Sequence, residues 1–167
     1  MIFFYPFYAL ASLLFTGLAL LLAPLVALAC GPDGNLPVRL RWFQTFDATL
    51  DEGWQGGYFP VSGTPTGWKL WWLRTRWLWR NPGYGFDMAL GVQFVPGQWT
   101  VRVWDGNVFF ATTSCGAFNY ERATPIRVKL GWKAWNHFDP ATSTFTNQTW
   151  ATYPKIPIVL SISKGAS

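Results

Sequence analysis

Charge is what the opening of this sequence lacks: from Ile2 to Ala29 no side chain is ionisable as an acid or a base, apart from two tyrosines. That excludes an ordinary water-facing helix, which needs a polar side. Met1 to Tyr8 also has no Lys or Arg, which counts against a cleaved signal peptide with its positive leading region, although Ala27-Leu28-Ala29 resembles a cleavage site. A lipoprotein reading would lipidate Cys30, with Ala27 standing where a leucine is usual. Histidine occurs once, at His137, and cysteine twice, at Cys30 and Cys115. A tetrahedral zinc site needs more ligands than these supply, so no metal is expected. Nothing brings Cys30 and Cys115 together, and both read as free thiols in a reducing compartment. There is no Gly-rich phosphate loop and no metal-ligand spacing, and no cofactor is expected.

The charge-free run is long enough to matter. Crossing a hydrocarbon core of roughly 30 Å takes about 20 helical residues, and a helix in lipid satisfies its own backbone. The expectation is a single transmembrane helix. Pro6 suits its first turn, Pro24 should kink or end it, and Tyr5 and Tyr8 would form an interfacial belt. Basic residues follow the run, Arg39 and Arg41, and none precede it; the positive-inside tendency then puts the C-terminal part in the cytoplasm. Only 13% of residues are charged and 19% are aromatic, with a net charge of +5. A chain so aromatic and so sparsely charged is expected to keep part of its surface against lipid or a partner.

The predicted fold class is α+β: residues 1–30 a transmembrane anchor, 31–67 a loop-rich juxtamembrane segment, and 68–167 a small antiparallel β-rich domain with one short amphipathic helix. Gly31 to Pro37 reads as a turn-rich exit. Val38 to Phe46 reads as a strand or an interfacial segment. The acids Asp47, Asp51 and Glu52 sit in a loop, where they could pair with Arg39 and Arg41. Trp68 to Arg80 reads as a helix with Trp68, Trp71, Trp72, Leu78 and Trp79 on one stripe, Lys69, Arg76 and Arg80 in a basic wedge, and Arg74 apart. Such a helix is either interfacial, with rings at the acyl boundary and cations on phosphates, or a core helix. Stacking of these tryptophans on nucleic-acid bases is disfavoured for want of dispersed lysines.

Further on, Ala89 to Phe94 is a possible short strand. Trp99 to Trp104 and Val108 to Thr112 form a hairpin across Asp105-Gly106-Asn107. Ile126 to Trp135 alternates, with Arg127, Lys129 and Lys133 outward. His137 to Thr149 reads as a polar connection that contains a glycosylation acceptor, Asn147-Gln148-Thr149. Ile156 to Ile162 closes the sheet, Pro157 favouring an edge or a strand start. A sheet of four to six strands is expected.

Catalytic candidates are few. A nucleophilic pair of Cys115 and His137, oriented by Asp139, would make a hydrolase at the envelope; the plainer reading is that Cys115 is a small buried residue at a strand end. The membrane-interface candidates are Trp68, Trp71, Trp72, Arg76, Trp79, Arg80, Arg39 and Arg41.

Three blocks, LRWFQTFDATLDEGW, RTRWLWRNPGYGFDMALG and RVKLGWKAW, together with the apolar start and hydrophobic close, resemble small uncharacterised membrane-anchored proteins of tailed bacteriophages and prophages. The matching positions are Arg41 to Asp51, Trp77 to Phe86 and Gly131 to Trp135. The resemblance implies a phage or prophage origin and the inner membrane of a bacterial host, and no activity. With it the expected role is non-enzymatic: a membrane-associated accessory or recruitment factor whose partners are the bilayer and another phage or host protein. The alternative is a virion or ejection component that inserts into the host membrane.

Overall fold

The computed structural model describes residues 1–146 and 155–165, and the Asn147-Gln148-Thr149 acceptor lies outside them. The architecture is α+β, an apolar N-terminal helix followed by antiparallel strands and short helices. Two compact units divide the chain, Met1–Ala11 with Leu90–Ser167, and Ser12–Ala89.

A 3-10 turn at Ile2–Phe4 leads into α1 (Tyr5–Leu28), an uninterrupted helix with Pro24 inside it. Of the two expected effects of Pro24, a kink or an end, it does not produce the end: the helix runs on to Leu28. Proline removes the N–H that would serve the carbonyl four residues earlier, which here is that of Leu20. The indole Nε1 of Trp79 donates to that oxygen at 2.9 Å instead.

The unit Ser12–Ala89 is helical. Val38–Phe43 forms a 3-10 helix rather than a strand. It is followed by α2 (Glu52–Gln55), α3 (Gly67–Arg80) and α4 (Tyr84–Ala89). The core joins Ala23, Val26 and Ala27 to Leu36, Leu50, Phe59, Leu73, Trp77 and Leu78. The expected tryptophan stripe is therefore split: Leu78 and the unforeseen Trp77 are core, while Trp68, Trp72 and Trp79 are exposed. Arg74 is buried and holds Asp51 through two bonds, Nε to Oδ1 at 2.7 Å and Nη2 to Oδ2 at 2.8 Å. Asp51 is thus taken by Arg74, not by Arg39 or Arg41. Both side chains are about nine-tenths buried, and a fork-shaped guanidinium satisfies both carboxylate oxygens at once. Buried Gln44 ties the loop together, accepting from Leu36 N at 2.8 Å and donating to Ala48 O at 3.0 Å.

The other unit is a five-stranded antiparallel sheet in the order β2-β3-β4-β5-β9, with two short pairs beside it, β1-β8 and β6-β7. The strands are β1 (Val92–Gln93), β2 (Trp99–Trp104), β3 (Val108–Thr113), β4 (Phe118–Arg122), β5 (Ile126–Trp132), β6 (Phe138–Asp139), β7 (Thr144–Phe145), β8 (Lys155–Ile156) and β9 (Ile158–Lys164). The hairpin β2-β3 forms where the sequence places it. Asp105 Oδ1 accepts from the N–H groups of Asn107 and Val108, closing the turn around Gly106. The expected strand over Ala89 to Phe94 shrinks to β1, and the polar connection carries β6 and β7. Pro157 separates β8 from β9, and β9 is an edge strand of the main sheet. Gly131 is the position that only glycine can hold: at φ 96° its Cβ would run into the Phe118 carbonyl. Lys129 is not outward. It lies opposite Glu121 on β4 and pairs with it at 2.9 Å, both side chains largely buried.

This unit's core is aromatic. Phe109 meets Trp135 and Phe138 at 5.0 and 5.1 Å between ring centres. Tyr5 belongs to it as well, contrary to the expected interfacial belt. Its hydroxyl donates to Val159 O at 2.8 Å, and its ring meets Phe118 and Trp132 edge-on.

Candidate membrane-contact surface

Within the helical unit, α1 has two unlike sides. Ser12, Ala19, Ala23, Val26 and Ala27 are buried, while Leu13, Leu14, Leu18, Leu20, Leu21, Leu25 and Leu28 are exposed, Leu21 at 79%. Small residues spaced at three and four let a helix approach its neighbours closely, and that is their use in membrane helix packing. The seven leucines are left over. Leaving them in water forfeits on the order of 10 kcal/mol of transfer free energy, as much as a small domain's whole stability. A surface of this size calls for an apolar cover.

The tryptophans of α3 serve this helix in two ways. Trp71 Nε1 donates to Pro24 O at 2.9 Å, as Trp79 does to Leu20 O. Both indoles therefore supply hydrogen bonds to α1 rather than offering them to headgroups. Trp68 is the freest ring, 75% exposed, and stacks on Trp71 with centroids 4.1 Å apart. Trp72 and Trp79 meet edge to face at 5.4 Å, and Trp42 is exposed nearby in sequence to Arg39 and Arg41, which are exposed too. Arg76 lies over the Phe59 ring at 4.1 Å and Arg80 over Tyr58 at 4.7 Å. An aromatic face thus holds each guanidinium itself, and both arginines remain exposed. The site thus gathers every interface residue named from sequence into one unit. Reading Arg74 and Trp77 as interior, and the alanine side of α1 as a packing face, escaped sequence reasoning. The available signal was the run Ala19, Ala23, Ala27 at intervals of four.

The β unit carries its own apolar surface. Register puts Val103, Phe110, Tyr120, Leu130 and Leu160 on one face of the sheet, with Val128 and Ile162 beside them. Val103, Leu160 and Ile162 are exposed, as are Phe3, Phe4, Phe7 and Leu10 at the start of the chain.

The catalytic candidates stand in different surroundings. Cys115 is exposed in the β3-β4 turn, beside Gly116 at φ 82°, and not buried at a strand end. Its Sγ lies 3.1 Å from Thr113 Oγ1, a hydrogen bond that lowers the thiol's pKa. The Met1 ammonium donates to the Cys115 carbonyl at 3.2 Å. His137 is buried with its ring stacked on Phe94 at 3.9 Å, and burial lowers its pKa to about 4. It is neutral at physiological pH. Asp139 accepts from Ala141 N and Thr142 Oγ1 in its own turn. In the helical unit, burial raises Cys30 to about 11, so that thiol stays protonated. Both cysteines are free.

Residues 1–164 match a family of unknown function, DUF7338. No curated protein and no solved structure matches the chain.

Proposed function

We propose that this chain, which belongs to the family DUF7338, is a non-enzymatic integral membrane protein that serves as an accessory or recruitment factor at the bilayer. The observation that carries this reading is the division of α1 into an alanine side spent on protein and a leucine side left open. One helix, Ile2–Leu28, is long and apolar enough to cross a membrane. Its leucine side would enter the acyl layer, with Trp68, Trp72 and the cations Arg39, Arg41, Arg76 and Arg80 at headgroup depth. The phage or prophage origin, the host inner membrane and a cytoplasmic β-rich domain belong to the same proposal. Their support is the WLWRNPGYGF resemblance and the arginines that follow the helix.

Two placements of α1 compete. Its length favours a span. Its first turn favours an in-plane helix, since Tyr5 is held inside the β unit by Val159, and we take this second placement. Cells expressing the protein, fractionated with a carbonate wash, should retain it in the membrane. Leu21→Arg with Leu25→Arg should release it, because binding of an in-plane helix scales with the apolar area it buries in the acyl boundary, and both substitutions put charge on that face. Recovery of the unaltered protein in the soluble fraction would end the proposal. In sealed vesicles, an impermeant maleimide at Asp33→Cys in a Cys115→Ser background, exposed just past the far end of α1, and an N-terminal tag should be reached from the same side; opposite sides would return α1 to a span.

A further inference from the structure

Between the turn end of the β2-β3 hairpin and the 3-10 turn that holds Trp135 lies a cavity of about 160 Å³. Trp104, Phe109 and Trp135 form its apolar wall, Glu121 lines it, and Arg122 and Arg127 stand at its edge. Glu121 is only 8% exposed. Its Oε2 is held by Lys129, while Oε1 is buried and has no hydrogen-bond partner among the described residues. An acceptor on a buried carboxylate left without a donor is costly, so a ligand that fills this space must bring one. The two guanidiniums ask for the opposite group, an anion. With Lys129 spent on Glu121, the lining carries excess positive charge, and a plain cation would be repelled.

The ligand must therefore carry both signs and be small. A volume of 160 Å³ corresponds to about five waters. Trp104 and Trp135 touch each other, ring centres 4.9 Å apart at 41°. They leave no slot for a flat base, which would need a ring on either side of it. Tilted rings instead offer their faces to a compact ammonium.

We propose that this cavity binds a phosphoethanolamine group: its primary ammonium donates to Glu121 Oε1 against the aromatic wall, and its phosphate lies on Arg122 and Arg127. A quaternary ammonium has no N–H and would leave Oε1 unsatisfied, so the site discriminates ethanolamine from choline. The group has two sources, the headgroup of a membrane lipid or a free phosphomonoester. Only the lipid source rests on the membrane reading above.

Titration calorimetry on the full chain in detergent tests this with soluble probes. Phosphoethanolamine should bind, phosphocholine at least about tenfold more weakly. Glu121→Gln should weaken phosphoethanolamine roughly ten- to a hundredfold. Arg127→Gln, at an exposed position, should weaken it without disturbing the fold. Glycerophosphoethanolamine, a diester like the lipid, binding as well as the monoester assigns the site to lipid; binding of the monoester alone assigns it to the free compound, and both support the proposal. Inorganic phosphate binding as tightly as phosphoethanolamine, with Glu121→Gln indifferent, overturns it, as does an absence of any binding, which would mean a cavity filled by water only. Because the probes are soluble, Leu21→Arg with Leu25→Arg should bind them unchanged, which separates failure here from failure of the membrane reading.

Discussion

The two units hold the same helix by opposite means. In the β unit the grip is one large side chain: Tyr5 sinks its ring among Phe118 and Trp132 and bonds Val159 through its hydroxyl. In the helical unit α1 offers small residues, and the partner does the reaching, Trp71 and Trp79 stretching their indole N–H groups to the backbone at Pro24 and Leu20. The difference teaches how a helix can be fastened without using its large apolar side chains. Where the neighbour supplies the volume, the leucines remain for another surface.

The helical unit depends on a buried charge and should be the easier to break. Asp51→Ala strands Arg74 in the interior and should cost about 3–5 kcal/mol, read by denaturant unfolding in detergent; a loss under about 1 kcal/mol would mean that water reaches the pair. The β unit is exposed instead to acid. His137 titrates near 4 in the folded chain against an ordinary 6.5 because burial opposes its charge. A depressed histidine lets the unfolded chain bind the proton first. Its contribution is complete above pH 6.5 and is lost as pH falls from about 6.5 towards 4, on the order of 3 kcal/mol at most. Thermal unfolding against pH should show that slope, and His137→Gln should flatten it. The smallest effects sharpen the contrast in fastening. Tyr5→Phe leaves the buried Val159 carbonyl without its donor and should cost about 1–3 kcal/mol. Trp79→Phe loses a bond at an exposed site, so about 1 kcal/mol is expected. Equal losses would erase the distinction.

What could be read from the sequence was what neighbours in the chain decide. The β2-β3 hairpin announced itself through Asp105-Gly106-Asn107, whose turn is closed by Asp105 itself. The α3 helix was legible to within a residue, since Asn81-Pro82-Gly83 must stop it. The apolar helix was legible from composition alone. The orientation of these elements was not. Trp77 and Trp79 look alike in sequence, and only the residues around them make one core and the other a donor to α1. In the sequence Lys129 reads as outward and Arg74 only as apart from the basic wedge, because their partners, Glu121 and Asp51, come from other elements. Val38–Phe43 has the composition of a strand but no partner strand to pair with in its unit, and settles into a 3-10 helix. The Glu121 cavity was invisible, since its walls come from β2, β3, β4, β5 and the turn after them.

The bond from Trp79 to Leu20 also sets a clock on synthesis. Its two ends lie 59 residues apart in the chain, and a ribosome adding about 5–20 residues per second needs roughly 3–12 s to make the second after the first. For that interval the nascent helix leaves the tunnel with a gap in its ladder, and the gap must be filled by water or by the insertion machinery until the indole arrives.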